Sequence, residues 1–255
     1  MKIVIPTYQR SDRQPTLEAI PDDVKTYLAV RPDEAAAYVK WTFNRNCDLL
    51  VLPPSVQGID TTRDYIVRTC EETKLVMLDD DLSFAVRRMD DKTKFFPATA
   101  ASIHDMLGEI SSQLNYSVHV GVSAREGANR NTDEFMYSTR MMRVLGYSVD
   151  VLKAYGLKFA PYTVMCDFAM TLQLLTLGHK NCIINEFVHN QAGSNTAGGC
   201  SVWRNPERQA EAAETLHAAF PDFVKIVQKH TKSSWNGQPR TDVVIRWKKA
   251  LGNRA

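Results

Sequence analysis

The short apolar run Leu75-Val76-Met77-Leu78 ends directly in three carboxylates, Asp79-Asp80-Asp81. An apolar run of this length, bounded by polar residues, reads as a strand buried on both faces, as in a parallel sheet. The acids then sit where the strand leaves the sheet, at the edge where open α/β sheets bind ligands. Pleat alternation sends Asp79 and Asp81 to one side and Asp80 to the other. Carboxylates that converge there repel unless a cation joins them, and hard oxygen donors favour Mg²⁺ or Mn²⁺. An acidic turn capping the next element is the competing reading. It leaves three acids against an apolar strand without a counter-ion, at a high desolvation cost.

The sequence around this box alternates strand and helix. Lys2–Ile5 reads as a strand stopped by Pro6, Val24–Val30 as a second, and Asp48–Leu52 as a third. Helices are expected over 33–43 and 60–73, the latter with Ile59, Tyr65, Ile66 and Thr69 at helical spacing. Strands that alternate with helices imply βαβ units and a mainly parallel sheet. Neither the glycine fingerprint of a dinucleotide fold nor a P-loop is present.

Beyond the box, helices are expected at 103–114, 151–155 and 165–177, and strands at 117–123, 141–149 and 182–188. The helix at 165–177 carries Phe168, Leu172 and Leu175 on one stripe and ends at Gly178. Residues 125–131 read as a polar loop, and Ala192 to Gly199 as a mobile one. Helices at 206–219 and 221–230 complete the pattern.

At 255 residues and 44% hydrophobic content, the chain suits one α/β domain or a domain with a small appendage. Five scattered cysteines without a C-x-x-C pair argue against a disulfide framework or zinc cluster and for a reducing, cytoplasmic setting. No stretch approaches the ~18 apolar residues of a membrane span, and the amino terminus reads as a strand rather than a signal peptide. Charge is uneven: residues 225–255 hold eight basic side chains and one acid, +7, so the overall +2 leaves −5 for residues 1–224. Such a tail suits a polyanionic partner, or else only a solvated terminus.

Four segments in order, Ile3-Val4-Ile5-Pro6-Thr7-Tyr8-Gln9-Arg10, Gly58-Ile59-Asp60-Thr61-Thr62-Arg63, the Asp79-Asp80-Asp81 box and Cys166-Asp167-Phe168 with Leu172 to Leu175, resemble a GT-A glycosyltransferase. The end of the chain, with Phe220 to Val224 and Val244 to Trp247, looks like the TET-associated glycosyltransferases, phage proteins thought to glycosylate modified DNA bases. The resemblance implies a GT-A-like, Rossmann-related α/β fold with helices flanking a mainly parallel central sheet. It implies a catalytic domain over 1–200, with the nucleotide-sugar held within about 1–82. A helical, basic extension over 201–255 would pack on the same domain.

Physical roles for these residues follow. Pro6, Thr7, Tyr8 and Arg10 overhang the nucleotide pocket; Tyr8 can stack on a base. Arg10 and Arg63 offer bidentate donors to phosphate or a uracil edge. Arg63 by itself is a helix-surface arginine unless the nearby helix start draws an anion. Asp79 and Asp81, flanked by Asp80, would hold the ion that bridges the diphosphate of the donor, a UDP-sugar. Through the resemblance, His189 completes the metal shell; alone it is a polar residue at a strand end. Asp167 is either a helix-start acid or the general base for the acceptor hydroxyl in an inverting displacement, with retention by front-face attack also open. Cys166 departs from the family here, standing where a glutamate is common. The glycine-rich loop 193–199 is composed like a lid or a linker.

DNA is the expected acceptor, through a hydroxymethylated pyrimidine or a sugar already on it. Arg125, Asn129, Arg130, Trp235, Arg240, Lys248 and Lys249 are its candidate contacts. Three other readings stand: a nucleotidyltransferase using the same metal box, a glycosyltransferase with a glycan or protein acceptor, and a non-catalytic DNA-binding protein.

Overall fold

A computed structural model describes residues 1–191, 198–202, 204–230 and 239–251. The first half runs β1 (Lys2–Pro6), α1 (Pro15–Ala19), β2 (Thr26–Val30), α2 (Ala35–Tyr38), β3 (Cys47–Val51), α3 (Ile59–Thr69) and β4 (Lys74–Leu78). There follow β5 (Leu82–Arg87), β6 (Phe95–Pro97), α4 (Ala100–Gln113), β7 (His119–Ala124), α5 (Arg125–Ala128), β8 (Phe135–Tyr137) and β9 (Val144–Ser148). The chain closes with α6 (Val149–Ala154), α7 (Cys166–Thr176), β10 (Cys182–Gln191), α8 (Pro206–Ala219), β11 (Val224–Lys229), β12 (Arg240–Ile245) and α9 (Trp247–Ala250).

Ten strands form one sheet in the order β3-β2-β1-β4-β9-β7-β10-β5-β6, with β8 also paired to β10. The β3-β2-β1-β4 half is parallel throughout. Beyond it the sheet is mixed, because β9 runs antiparallel to both β4 and β7 while β7 and β10 are parallel. The strands bury both faces, as their apolar runs require. Ile3, Ile5, Val76 and Leu78 join the core on one face; Val4, Leu75 and Met77 join the core on the other. The expected α/β sheet flanked by helices is present, with its parallel order confined to the first half and to the β7–β10 pair. Among the described residues, no helix is long and apolar enough to cross a membrane.

Four expectations need correction. Residues 221–230 form strand β11, not a helix, and β11 pairs with β12 from Val224↔Ile245 to Lys229↔Arg240. The tail is therefore α8, a hairpin and one helical turn rather than a helical extension. Its Leu216, Phe223, Val224 and Val243 pack on Phe168 and Leu172 of α7 in a third core cluster. The helix expected at 33–43 is α2 followed by a 3-10 turn, Val39–Thr42. Residues 125–131 begin with the short α5, interrupted at Glu126 and at Gly127 (φ 83°). Strand β5 starts one residue after the acid box, so the box is a tight link between two strands with no Gly or Pro to announce it.

Candidate functional site

Strand β4 ends at Leu78, so its pleat does not govern the three acids. Asp79 and Asp81 have different arginine partners, which the alternation argument did not foresee, yet Asp81 lies near enough to act on the Asp79 charge. The Arg10 guanidinium donates from Nη1 to both Asp80 and Asp81, at 2.8 Å to Asp81 Oδ2. Asp79 accepts from Arg63 Nη2 at 3.1 Å. The turn is clamped by Thr16, whose hydroxyl donates to the Asp79 carbonyl at 2.6 Å and accepts from Leu82 N–H at 2.8 Å.

Each carboxylate has its own shell. Asp80 also accepts from the Thr7 hydroxyl at 2.7 Å, and Gln14 Nε2 donates to Thr7 in turn at 2.9 Å. Burial pushes the Asp80 pKa up, against the pull of Arg10 and the Thr7 hydrogen bond. Asp81 accepts from Gln191 Nε2 at 2.8 Å, while its Oδ1 is buried without a partner among the described residues. Asp79 keeps 31% of its side chain exposed. That exposed part faces a cleft rather than open solvent. Crowding raises its pKa to about 6: burial contributes most, Asp81, Asp80 and Asp167 add to it, and Arg63 opposes.

Arg10 and Arg63 were expected to reach for phosphate or uracil; here both are engaged by protein groups. Arg63 is 5% exposed and also donates from Nη1 to the Cys166 sulfur at 3.1 Å. It lies past the first turn of α3, which begins at Ile59. The Arg10 backbone N–H donates to the Tyr38 hydroxyl at 2.9 Å, and its Nη2 to the Gly198 carbonyl at 3.3 Å. Gly199 N–H donates to the Tyr8 carbonyl at 2.8 Å. Gly198 has φ +90°, and a Cβ there would sit 2.6 Å from the Gln9 carbonyl oxygen. A glycine is needed for this approach. The rest of the expected lid, 192–197, lies outside the described residues.

These groups line a cleft of about 920 Å³. Pro6, Thr7, Tyr8, Arg10, Arg63, Asp79, Asp80 and Asp81 all border it, together with Asp167. Tyr8 accepts from Gln9 Nε2 at 3.0 Å, and the Arg31 guanidinium lies 5.3 Å from its ring centre. Asp167 is half-buried in the first turn of α7. Beside it Phe168 carries the Arg140 guanidinium on its ring at 4.5 Å and meets Trp247 edge-on at 5.7 Å. From the hairpin, Lys229 at 2.9 Å and Arg240 at 2.5 Å converge on Asp242 Oδ2. Their hydrogen bonds hold the Asp242 pKa down although burial acts to raise it.

The acid box fits a divalent cation. Its donors are hard carboxylate oxygens, and Asp81 Oδ1 is an unsatisfied buried acceptor of the kind an ion satisfies. His189 is fully buried with both ring nitrogens unpartnered among the described residues, its pKa pushed down to about 3 by burial and then by Arg143. Among the described residues no three His, Cys, Asp or Glu side chains are grouped to hold a metal, so the structure does not assemble His189 with Asp79 and Asp81.

Of the expected acceptor contacts among the described residues, only Arg240 borders the cleft. Arg125 stacks on Phe95 at 4.4 Å, and Asn129 and Arg130 continue the turn after α5, away from the cleft lining. Lys249 donates to the Asp222 carbonyl at 3.5 Å, and Lys248 is its neighbour on α9. Trp235 lies outside the described residues. Sequence reasoning missed Tyr38, Gln14, Gln191, Arg140, Arg143, Lys229 and Asp242. Only the hydrophobic-to-acid switch at 79–81 pointed toward their meeting place.

Residues 1–199 match the family model described as TET-Associated Glycosyltransferase. The β-glucosyl-HMC-α-glucosyl-transferases of Enterobacteria phages T6 and T2 are 21% and 20% identical over 236 residues, 87% of this chain and 82% of theirs. The mannosyltransferase PcManGT from Pyrobaculum calidifontis, in complex with GDP-Man and Mn²⁺, superposes with a TM-score of 0.58 and 16% identity, over 87% of this chain and 64% of that one. Glucosyl-3-phosphoglycerate synthase from Mycobacterium tuberculosis, with Mn²⁺ and UDP, gives 0.56 and 11%, over 94% and 86%. S. aureus TarS 1–349 with UDP gives 0.55 and 13%; the chain covers 87% of itself and 66% of that protein. These likenesses establish the fold.

Proposed function

Given that the chain belongs to the TET-associated glycosyltransferase family, we propose that it moves a sugar from a nucleotide-sugar, a UDP-sugar, to a hydroxymethylated pyrimidine or a sugar already on it, in phage DNA within the host cytoplasm. The observation that carries this reading is one cleft bordered by both the acid box and Asp167, with Arg63 bonded to Asp79 and to the sulfur of Cys166 beside Asp167. The names of the phage relatives supply the acceptor chemistry, and the Mn²⁺- and nucleotide-bound neighbours supply the donor class.

Thr7 and Tyr8 would overhang the nucleotide, and Asp79 and Asp81 would hold Mn²⁺ or Mg²⁺; His189 on β10 is not grouped with them among the described residues. When bound, such an ion neutralises charge that builds on the departing diphosphate. Arg63 holds Asp79 in place and keeps its charge compensated. Asp167 removes the proton from the acceptor hydroxyl as that oxygen bonds to the anomeric carbon and the bond to the diphosphate oxygen breaks.

This is an inverting displacement. One observation favours a second stereochemistry: the phage relatives are named for an α-glucosyl product on a β-glucosyl acceptor. From a donor whose sugar is α-linked, that outcome retains configuration, with the leaving diphosphate oxygen taking the proton and Asp167 orienting the acceptor. The test incubates hydroxymethylcytosine DNA, with and without a β-glucosyl group, with nucleotide-sugars and Mn²⁺. Nucleoside mass spectrometry and linkage-specific glucosidases then identify the product. Added hexose mass with nucleoside diphosphate release is expected, and the anomer decides between the two stereochemistries. Pyrophosphate release from a triphosphate, or transfer only to a glycan, would replace the reading.

A further inference from the structure

The cleft has two walls of different charge logic, and only one is occupied by the donor reading. On the far wall Arg140, Arg143, Arg204, Arg208, Lys229 and Arg240 border the same space as the acids Asp167, Glu211 and Asp242. Lys229 and Arg240 share a single carboxylate oxygen of Asp242, so this pair of cations is only half neutralised. Arg240 Nε is buried without a hydrogen-bond partner among the described residues. Arg140 lays its guanidinium on the Phe168 ring, with Asp167 and Asp242 near enough to act on its charge but neither forming an ion pair with it among the described residues. Arg143 has φ +64° and gives its carbonyl to the Asp79 N–H, which ties this wall to the box. The surplus is positive, and it lies on the side where an acceptor hydroxyl would meet Asp167.

Resting on the proposed function, the geometry points to this wall as a phosphodiester seat: Arg140, Lys229 and Arg240 hold the backbone of one DNA strand, so that the acceptor nucleotide leaves its stack and enters the cleft. A base in a duplex cannot bring its substituent to a carboxylate inside a cleft, whereas an extruded or single-stranded one can. Phosphate contacts fix register without reading sequence, which suits an enzyme that selects a modified base wherever it occurs. The hairpin explains why the basic tail is folded as β-structure. Antiparallel pairing of Lys229 with Arg240 places two cations, eleven positions apart in sequence, side by side at one end. It also separates them from Lys248 and Lys249, which do not border the cleft.

A phosphate on this wall could belong to the DNA strand or to the donor diphosphate, and the experiment separates the two. Full-length protein is titrated with a short fluorescent single-stranded oligonucleotide carrying hydroxymethylcytosine, without donor, across a salt series. UDP with Mn²⁺ is titrated separately by calorimetry. The R140Q/K229Q double variant should weaken oligonucleotide binding about tenfold and flatten the salt slope by roughly 1.4, at about 0.7 per lost phosphate contact on single strands. UDP binding should stay unchanged, which also reports an intact fold. R140K should keep the slope, and K248Q/K249Q, which removes as many charges, should leave it unaltered. Equal slopes for wild type and R140Q/K229Q, loss of UDP binding in R140Q/K229Q, or an equal drop in K248Q/K249Q would each overturn the seat. Should the wild-type protein neither bind nor modify DNA, the DNA-acceptor reading itself fails. Modification of DNA with unaltered variants removes only the seat.

Discussion

The two walls of the cleft are built differently. The donor wall comes from consecutive βαβ segments within residues 6–81, where each loop follows a strand of the parallel half-sheet. The opposite wall is assembled from Arg140 and Arg143, the start of α7, one face of α8 and the β11–β12 hairpin. The first is fixed by local pattern and a right-handed crossover rule. The second depends on packing between segments more than sixty residues apart, such as Phe168 against Trp247. Chemistry follows the same division: buried carboxylates on one wall, surplus cations on the other.

The sharpest break would come on the donor wall. Asp81→Asn keeps shape but removes a charge already satisfied by Arg10 and Gln191. Transfer should fall by about 10³-fold or more, with Mn²⁺ affinity lost, because ion-assisted departure of a diphosphate contributes several kcal/mol. Sugar transfer measured by nucleoside diphosphate release, within threefold of wild type, would remove the metal box from the mechanism.

On the opposite wall, Asp167→Asn should lower kcat roughly 10²- to 10³-fold with UDP binding intact. If kcat is unaltered and only thermal stability drops slightly, Asp167 is a helix-start acid and nothing more.

Arg10 belongs to the donor wall but touches Gly198, where the chain returns toward the far side. In Arg10→Met the buried Asp80 and Asp81 lose their shared cation. Stability should drop by about 3 kcal/mol, the typical cost of leaving a buried charge unpaired. Saturating Mn²⁺ should restore part of that loss in a thermal melt, since an ion binding only the folded state stabilises it. No change in melting temperature would show that the Arg10 contacts contribute little.

The sequence was most legible where structure is local. The four parallel strands and the box at 79–81 were readable from apolar runs and their stops. Strand β5 was not, because it follows the acids without a turn signal. Strand β11 was read as helix because Val224-Lys-Ile-Val-Gln-Lys has no clear period; its β state is imposed by β12, eleven residues beyond its end. The separate arginine partners of Asp79 and of the Asp80–Asp81 pair were not legible, because alternation is fixed only within the β4–β9 ladder, whose last paired residue is Leu78. Arg140 carried no local signal at all, since an isolated cation looks alike on a solvated face and in a cleft, and Lys229 was legible only as one charge of the basic tail.

The smallest effect concerns the seam between the walls. His119 on β7 stacks on Tyr147 at 4.2 Å, its Nδ1 donates to the Gly146 carbonyl at 2.9 Å, and its Nε2 lies 3.4 Å from the Thr171 hydroxyl of α7. Burial pushes its pKa down to about 4, with the Gly146 hydrogen bond opposing. The unfolded chain takes up this proton near pH 6.5 and the folded chain does not, so folding stability is full above that pH and declines as pH falls toward 4. By pH 5 the loss from this group is about 2 kcal/mol, from a proton held some 1.5 pH units above the working pH in the unfolded chain only. His119→Phe keeps the ring stack and removes the titration. Urea melts at pH 7.5 and pH 5 should therefore show a smaller acid loss in the variant than in wild type, by about that 2 kcal/mol. Equal losses would mean that His119 takes up its proton without unfolding the seam, and that the α7 wall yields to acid more readily than its packing implies.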